Sequence, residues 1–310
     1  MHLKWYIFLL TTNTVIVILF YGALRFSNDT HRSTNMYEGL WLRRERGIPE
    51  KCEKDIELLI LIPSSIWNFK QREAVRETWG NKNSTDAKTK LVFLIGKVHD
   101  DGYRKRFEEE EKSYRDILQR DIMESYAGLT KKSIALLKWA HLNCPTVKYA
   151  LKADDDTFIN IQNLVNLLRK LKPTNSILGI LKSNAIPSRD KGSKWYVSKE
   201  QYPKTRYPPY TRGSAYIITG DIITPLYNST STVPSLFRED VFITGICRKE
   251  IGADVINLSG FDSSSILPEE KIFYARITGH HYSPRDIKEM WKELLNGEST
   301  STVSRGLIQL

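Results

Sequence analysis

The feature that most constrains this chain is an alternation of short, unbroken apolar runs with segments of helical periodicity. Glu57–Ser65, "ELLILIPSS", is apolar without alternation and ends at Pro63, and Lys90–Lys97, "KLVFLIGK", and Val147–Ala153, "VKYALKA", read the same way. Such runs suit strands covered on both faces. Between them lie "FKQREAVRETWG", with Gly80 as a stop and Trp79 as a core residue, a charged stretch over 100–120 read as a solvated helix, and the helical "LTKKSIALLKWAHLNC". After the third run, Asn160 is placed to cap "IQNLVNLLRKL", whose Ile161, Leu164, Val165 and Leu168 share one face, and Pro173 ends it. Three strand–helix alternations predict an α/β domain with a largely parallel sheet. Residues 178–220 break the pattern; their aromatics, Gly and Pro predict irregular loops and short strands. The chain closes on "SPRDIKEMWKELL", with Ser283 as cap, Pro284 in the first turn and Ile287, Met290, Trp291 and Leu294 as the apolar stripe.

The chain has 310 residues and a formal charge of +10, with pI about 9.3. Its Lys and Arg residues are scattered among acids and accompany no nucleic-acid-binding motif, so nucleic acid is excluded as the expected partner. Trp5–Leu24, "WYIFLLTTNTVIVILFYGAL", carries no charge and is long enough to cross a bilayer. A retained anchor and a cleaved signal peptide compete; the length favours the anchor. The expected organisation is a cytoplasmic tail (1–4), a transmembrane anchor (5–24), a polar stem (25–51), a catalytic body (52–295) and a flexible tail (296–310). Asn-x-Ser/Thr triplets at Asn28, Asn83, Asn228 and Asn257 all follow the apolar span, which favours a lumenal or extracellular body. Three cysteines, Cys52, Cys144 and Cys247, allow one pair and one leftover thiol, with Cys52–Cys144 the expected pair.

The chemistry centres on "KADDDTFIN". Asp154, Asp155 and Asp156 follow the third strand. An acidic run is commonly a solvated turn. At the carboxyl end of a strand in an open α/β sheet, however, it can hold a hard cation that bridges to phosphates. Arg72 and Arg76 share one helix face and suit a diphosphate, or simply a surface helix. Glu239 and Asp240 precede an apolar stretch, as a stabilised helix start or as a general base. His280, beside His281, is structural or a ligand; joined to Asp156 it gives a nitrogen–oxygen set that favours Mn²⁺ over Ca²⁺.

In order, "RxxxRxTWG" (Arg72–Gly80), "DxxxxYxxLTxKS" (Asp121–Ser133), "KxDDDxFxN" (Lys152–Asn160), "KWYVSxExYPxxxYPPYxxGxxY" (Lys194–Tyr216), "EDVFxTGxC" (Glu239–Cys247) and a late His before Pro (His280–Pro284) resemble the β-1,3-galactosyltransferase branch of glycosyltransferase family 31. The resemblance implies a GT-A-like nucleotide-sugar-binding fold behind one transmembrane helix, in a single-pass type II Golgi membrane protein with a lumenal catalytic domain. It implies transfer of galactose from UDP-galactose, with inversion, to a glycoprotein or glycolipid acceptor, using Mn²⁺ or alternatively Mg²⁺. Transfer of N-acetylglucosamine or N-acetylgalactosamine is the alternative, and a non-catalytic glycan-binding relative a further one. By the same resemblance Asp240 is the base, and Asp156, Asp154 and His280 hold the metal. Asp154, Asp155, Arg72, Arg76 and Lys132 bind the donor, and Trp195, Tyr207, Tyr210 and Glu239 shape the substrate pocket. The chain departs from the family at Thr211–Ala215, where vertebrate members commonly carry Cys-Ser-Gly-x-Gly, which leaves Cys247 without its usual partner.

Overall fold

The computed structural model describes residues 49–98, 100–265 and 273–300, with side chains through residue 297. Residues 1–48, which include the apolar span, the stem up to residue 48 and Asn28, lie outside the described residues, and no described helix is long and apolar enough to cross a membrane.

The predicted strands form. β1 (Leu58–Pro63) is buried at every position, β2 (Thr89–Ile95) over its last four, and β4 (Tyr149–Ala153) throughout. β1 pairs in parallel with both β2 and β4, and β2 in parallel with β3 (Ile117–Gln119). With β6 (Ser176–Lys182), β7 (Tyr210–Thr219) and β8 (Asp254–Asn257), the seven-stranded sheet has the order β3-β2-β1-β4-β7-β6-β8. Burial on both faces is why these runs are apolar without alternation.

Two segments differ from the sequence reading. The stretch over 100–120 is not one helix. Helix α2 (Asp101–Tyr114) follows α1 (Phe69–Glu77) and ends where Arg115 adopts a left-handed φ of 52°; the chain then turns into β3 at the sheet edge, where Ile117 and Leu118 are fully buried. Tertiary burial claims those two residues against the charged helix before them. Of residues 178–220, which the sequence reads as irregular, only 183–209 lack regular elements. They are flanked by β6 (Ser176–Lys182) and by β7 (Tyr210–Thr219), a ten-residue strand antiparallel to both β4 and β6. β8 (Asp254–Asn257) then adds to β6 in parallel.

The helices follow their periodicity. After α3 (Gly128–Asn143), α4 (Ile161–Leu171) buries Ile161, Leu164, Val165 and Leu168, and the Asn160 side chain accepts from the Asn163 N–H as a cap. α5 is Ile223–Ser229. Val241–Cys247 is a π-helix that runs into the single turn α6 (Arg248–Glu250). The closing helix α7 (Pro284–Thr300) continues beyond residue 295, where a tail was expected. Its start is a capping box: the Ser283 hydroxyl accepts from the Asp286 N–H, and the Asp286 carboxylate accepts from the Ser283 N–H. α7 packs on α1, with Ile287, Met290 and Leu294 buried in the core that also holds Trp79. Cys52 and Cys144 are disulfide-bonded, pinning the start of the body to the end of α3, and Cys247 is free and buried.

Candidate functional site

From β1 the chain builds outward through β2 to β3, then returns to place β4 on the other side of β1. The carboxyl ends of β1 and β4 therefore flank a topological switch point, where open α/β sheets bind ligands. A cavity of about 350 Å³ opens there, lined by Ser64, Trp67, Asn68, Tyr126, Lys132 and Asp155 among others. Of its two acids, Glu124 and Asp155, Asp155 lies at the end of β4. Its Oδ2 accepts from the Ser64 hydroxyl at 2.6 Å and from the Asn68 amide at 2.9 Å, yet burial outweighs these bonds and pushes the carboxyl above its ordinary range.

Asp154 and Asp156 turn toward a different partner. The two-stranded ladder β5 (Thr157–Ile159) with β9 (Thr278–His280) sets His280 opposite Thr157. That register brings His280 Nε2 to 2.8 Å from Asp156 Oδ1 and 3.6 Å from Asp154 Oδ2. His281, at a left-handed φ of 72°, lies with Nδ1 3.8 Å from Asp156 Oδ2. One ligand atom each from Asp156, His280 and His281 lie within 4.8 Å of one another. Burial pushes the His280 imidazole down, but the Asp156 hydrogen bond and the Asp156 and Asp154 charges outweigh it, so its pKa is raised. The antiparallel ladder that carries His280 is invisible to periodicity, and His281 carried no signal beyond its adjacency to His280.

The acid pair stands across β7. Glu239 is buried; its Oε1 accepts from the Tyr216 hydroxyl at 2.7 Å, and burial pushes its carboxyl up against the charge of Lys152. Asp240 stays partly open, its side chain 19% exposed, with Oδ1 accepting from the Val241 N–H at 2.9 Å. Asp240 thereby caps the π-helix, and the Thr244 hydroxyl donates to the Asp240 carbonyl at 2.6 Å. Single-turn π segments recur at functional sites because they re-aim side chains. Gly213 in β7 faces the pair: a Cβ there would lie 3.4 Å from Asp240 Cβ and 3.5 Å from Glu239 Oε2.

The sequence reading missed Lys152, which joins the two acid groups. Its ammonium donates to Asp154 Oδ1 and to the Gly213 carbonyl, each at 2.6 Å, and lies 3.9 Å from Glu239 Oε2. Burial works against its charge, but Asp154 and Glu239 outweigh that and hold it protonated. It stood in plain view in the acidic motif; a strand-interior Lys on a fully buried strand is the signal that could have singled it out, because a buried ammonium requires carboxylate partners.

The basic residues expected at the donor are placed differently. All five N–H donors of Arg72 are engaged: two on Glu110, and the others on Ser64 Oγ and the carbonyls of Ser65 and Ile66. Arg76 is taken up by Glu110 and Asp116 and lines a separate groove with Tyr114. Neither offers a free donor to the cavity. Arg72 acts on it through Ser64, which in turn donates to Asp155. Lys132 does line the cavity, with its ammonium on the Ser64 carbonyl at 2.7 Å and on Glu124 at 2.5 Å; burial lowers its pKa. Trp195 is 45% exposed, whereas Tyr207 and Tyr210 are buried and pack edge to face at 6.2 Å, and burial pushes Tyr207 up to about 12.

Comparison with known proteins places the chain in a family. The galactosyltransferase family pattern matches residues 70–259. Beta-1,3-galactosyltransferase 1 of Homo sapiens is 33% identical over 273 residues, spanning 87% of this chain and 82% of its own length. Beta-1,3-galactosyltransferase 5 of Pan paniscus is 34% identical over 246 residues, with 77% and 81% covered. The lactosylceramide 1,3-N-acetyl-beta-D-glucosaminyltransferase of Homo sapiens is 32% identical over 269 residues, with 83% and 71% covered. With a family pattern running from α1 to the end of β8 and relatives aligned over most of its length, this chain belongs to the galactosyltransferase family, glycosyltransferase family 31.

Proposed function

We propose that this glycosyltransferase moves galactose from UDP-galactose onto an acceptor-glycan hydroxyl, forming a β-1,3 linkage with inversion. The observation that carries the reading is the junction of two acid groups at the switch point: Asp154, Asp155 and Asp156 on one side, Glu239 and Asp240 on the other, linked through Lys152.

The cavity beside Asp155 suits the nucleoside of the donor, with Asn68 and Lys132 at its wall. The residues at Asp156 fit a divalent cation: two imidazoles and a carboxylate converge, with Asp154 beside them, a mixed nitrogen–oxygen set that suits Mn²⁺ and that Mg²⁺ accepts less readily. Asp156, His280 and His281 would hold it, with Asp154 beside them, and it would stabilise the negative charge that develops on the departing diphosphate. Asp240, the more open acid, takes the proton of the acceptor hydroxyl as its oxygen bonds to the anomeric carbon. The carbon–oxygen bond to UDP breaks with its electron pair leaving on the diphosphate. Attack from the face opposite UDP converts an α-linked donor to a β product. Glu239, buried and bound to Tyr216, fixes the segment that aims Asp240.

The relative named as an N-acetylglucosaminyltransferase favours a second reading in which the donor is UDP-N-acetylglucosamine. Asn83, Asn228 and Asn257 are exposed, which supports a lumenal body behind the Trp5–Leu24 span and, with it, Golgi residence on a glycoprotein or glycolipid route. The deciding experiment incubates the full chain with each UDP-sugar and glycan acceptors in Mn²⁺ or EDTA. Turnover of UDP-galactose that stops in EDTA is expected; no turnover of any UDP-sugar sinks the reading.

A further inference from the structure

Beside Asp240 stands a group of side chains that neither the acid clusters nor the core accounts for. Trp195 and Tyr126 are 45% and 48% exposed, large rings left open beside the acids. Trp195 lies near the Tyr126 phenol, and Tyr126 in turn packs edge to face on Phe237 at 6.4 Å. Arg238 lies between these rings and the base. Its guanidinium carbon is 6.0 Å from the Trp195 ring, and its Nη2 is 3.6 Å from Asp240 Oδ2. The side chain is only 14% exposed, yet its buried Nε has no hydrogen-bond partner, and the buried Tyr207 hydroxyl shares that condition. An unpaired buried donor is costly unless a ligand completes it.

Open rings, an incomplete guanidinium and a carboxylate converging on one spot match a pyranose. Its C–H face is apolar and lies on an aromatic ring, while its hydroxyl rim needs donors and acceptors in the same plane. The donor side of the site is next to this group: Trp195 and Arg238 do not line the cavity at the β1 and β4 ends, and Tyr126, which does line it, also feels the Asp240 charge. A base must touch the sugar that loses a proton, and that sugar is the acceptor.

We propose that Trp195, Tyr126 and Arg238 form the acceptor-sugar subsite, with Trp195 stacking on the ring and Arg238 binding a hydroxyl and setting it against Asp240. The assignment rests on the transferase reading. It names two residues, Tyr126 and Arg238, outside the motif positions to which roles were given, and it commits Trp195 to the acceptor.

The test compares the full chain with Trp195→Ala, Trp195→Phe, Arg238→Met and Arg238→Lys. Acceptor and donor KM are measured in transfer assays. Saturation-transfer NMR with methyl β-galactoside and methyl N-acetyl-β-glucosaminide reads sugar binding without turnover. Trp195→Ala and Arg238→Met are expected to raise the acceptor KM about fivefold to tenfold, the loss of one stacking or one charged hydrogen-bond contact, with the donor KM within about twofold. Trp195→Phe and Arg238→Lys should recover part of the loss, and the glycoside signal should fade in Trp195→Ala. A rise in donor KM with an unchanged acceptor KM overturns the assignment, as does a glycoside signal that is absent from the wild type or undiminished in Trp195→Ala. Wild-type protein that turns over no UDP-sugar defeats the transferase reading instead, and the glycoside comparison still decides whether this surface binds sugar.

Discussion

At the scale of single residues, the site is a problem in placing like charges. Asp154 and Glu239 meet one buried ammonium, Lys152, with the Asp240 charge also acting on it, while Asp155 and Asp156 face other partners. Each has a distinct environment, and the environment sets its work. Asp155 is bound by neutral donors at the cavity wall, Asp156 faces imidazoles, Glu239 is sealed in by Tyr216, and Asp240 alone combines partial exposure with a place at a helix start. Asp240→Asn is therefore expected to lower the transfer rate by about 10²–10⁴-fold while the protein still binds UDP, checked by initial rates and by calorimetric titration. Retention of near-normal transfer removes Asp240 from the role of base. Lys152→Met should cost about 3–5 kcal/mol of stability, because it leaves Glu239 buried and Asp154 half-buried without their cation; a denaturant melt measures it. The Arg72–Glu110–Arg76 group sets a pH dependence. Burial alone pushes Glu110 up, but the hydrogen bonds and charges of Arg72 and Arg76 outweigh it, and its carboxyl sits below the ordinary 4.5. A depressed carboxylate contributes stability that is complete above its unfolded pKa and is lost as pH falls through the folded one. Wild type should lose more stability than Glu110→Gln as pH drops below about 4.5, read as melting temperature against pH.

At the scale of elements, two local irregularities position the chemistry. The π-helix Val241–Cys247 holds Asp240 at its start, and the β5–β9 ladder carries His280 to the acids. Both depend on contacts distant in sequence. Thr244 receives the Thr211 N–H at 2.9 Å, tying the π-helix to β7, so Thr244→Val should cost about 1–3 kcal/mol and lower transfer through a displaced Asp240. A close approach governs the other end of β7. A Cβ at Gly220 would lie 1.8 Å from the Val147 carbonyl oxygen, and backbone cannot yield as a side chain does. Gly220→Ala is expected to destabilise the body by about 3 kcal/mol or more, measured by thermal unfolding, while the same change at exposed Gly252 meets no atom and is strained only by its positive φ of 68°.

At the scale of the whole molecule, the Cys52–Cys144 bridge closes a span of 92 residues across β1, β2 and β3. Removing it as Cys52→Ser with Cys144→Ser should cost about 2–5 kcal/mol, seen as a lower unfolding midpoint that reducing agent reproduces in the wild type. Much of the body was legible in advance where a physical rule acts locally. β1, β2 and β4 announce themselves because strands covered on both faces are nearly continuous apolar runs, Lys152 being the exception in β4, and α4 because its stripe and its Asn160 cap are local properties. The strand ends then placed Asp154–Asp156 at the ligand-binding edge, and the ordered motifs identified the family. What no local rule could supply was pairing. Ile117–Gln119 is a strand only because β2 offers an edge, Arg72 is consumed by Glu110 from another helix, and Lys152 finds Glu239 only across β7. Propensity and periodicity act over a few residues, so local sequence suffices for which elements exist and which residue types carry the chemistry. Which charges meet is a matter of the fold, because the energy of a buried charge depends on its partners, and those are brought together by the order of strands in the sheet.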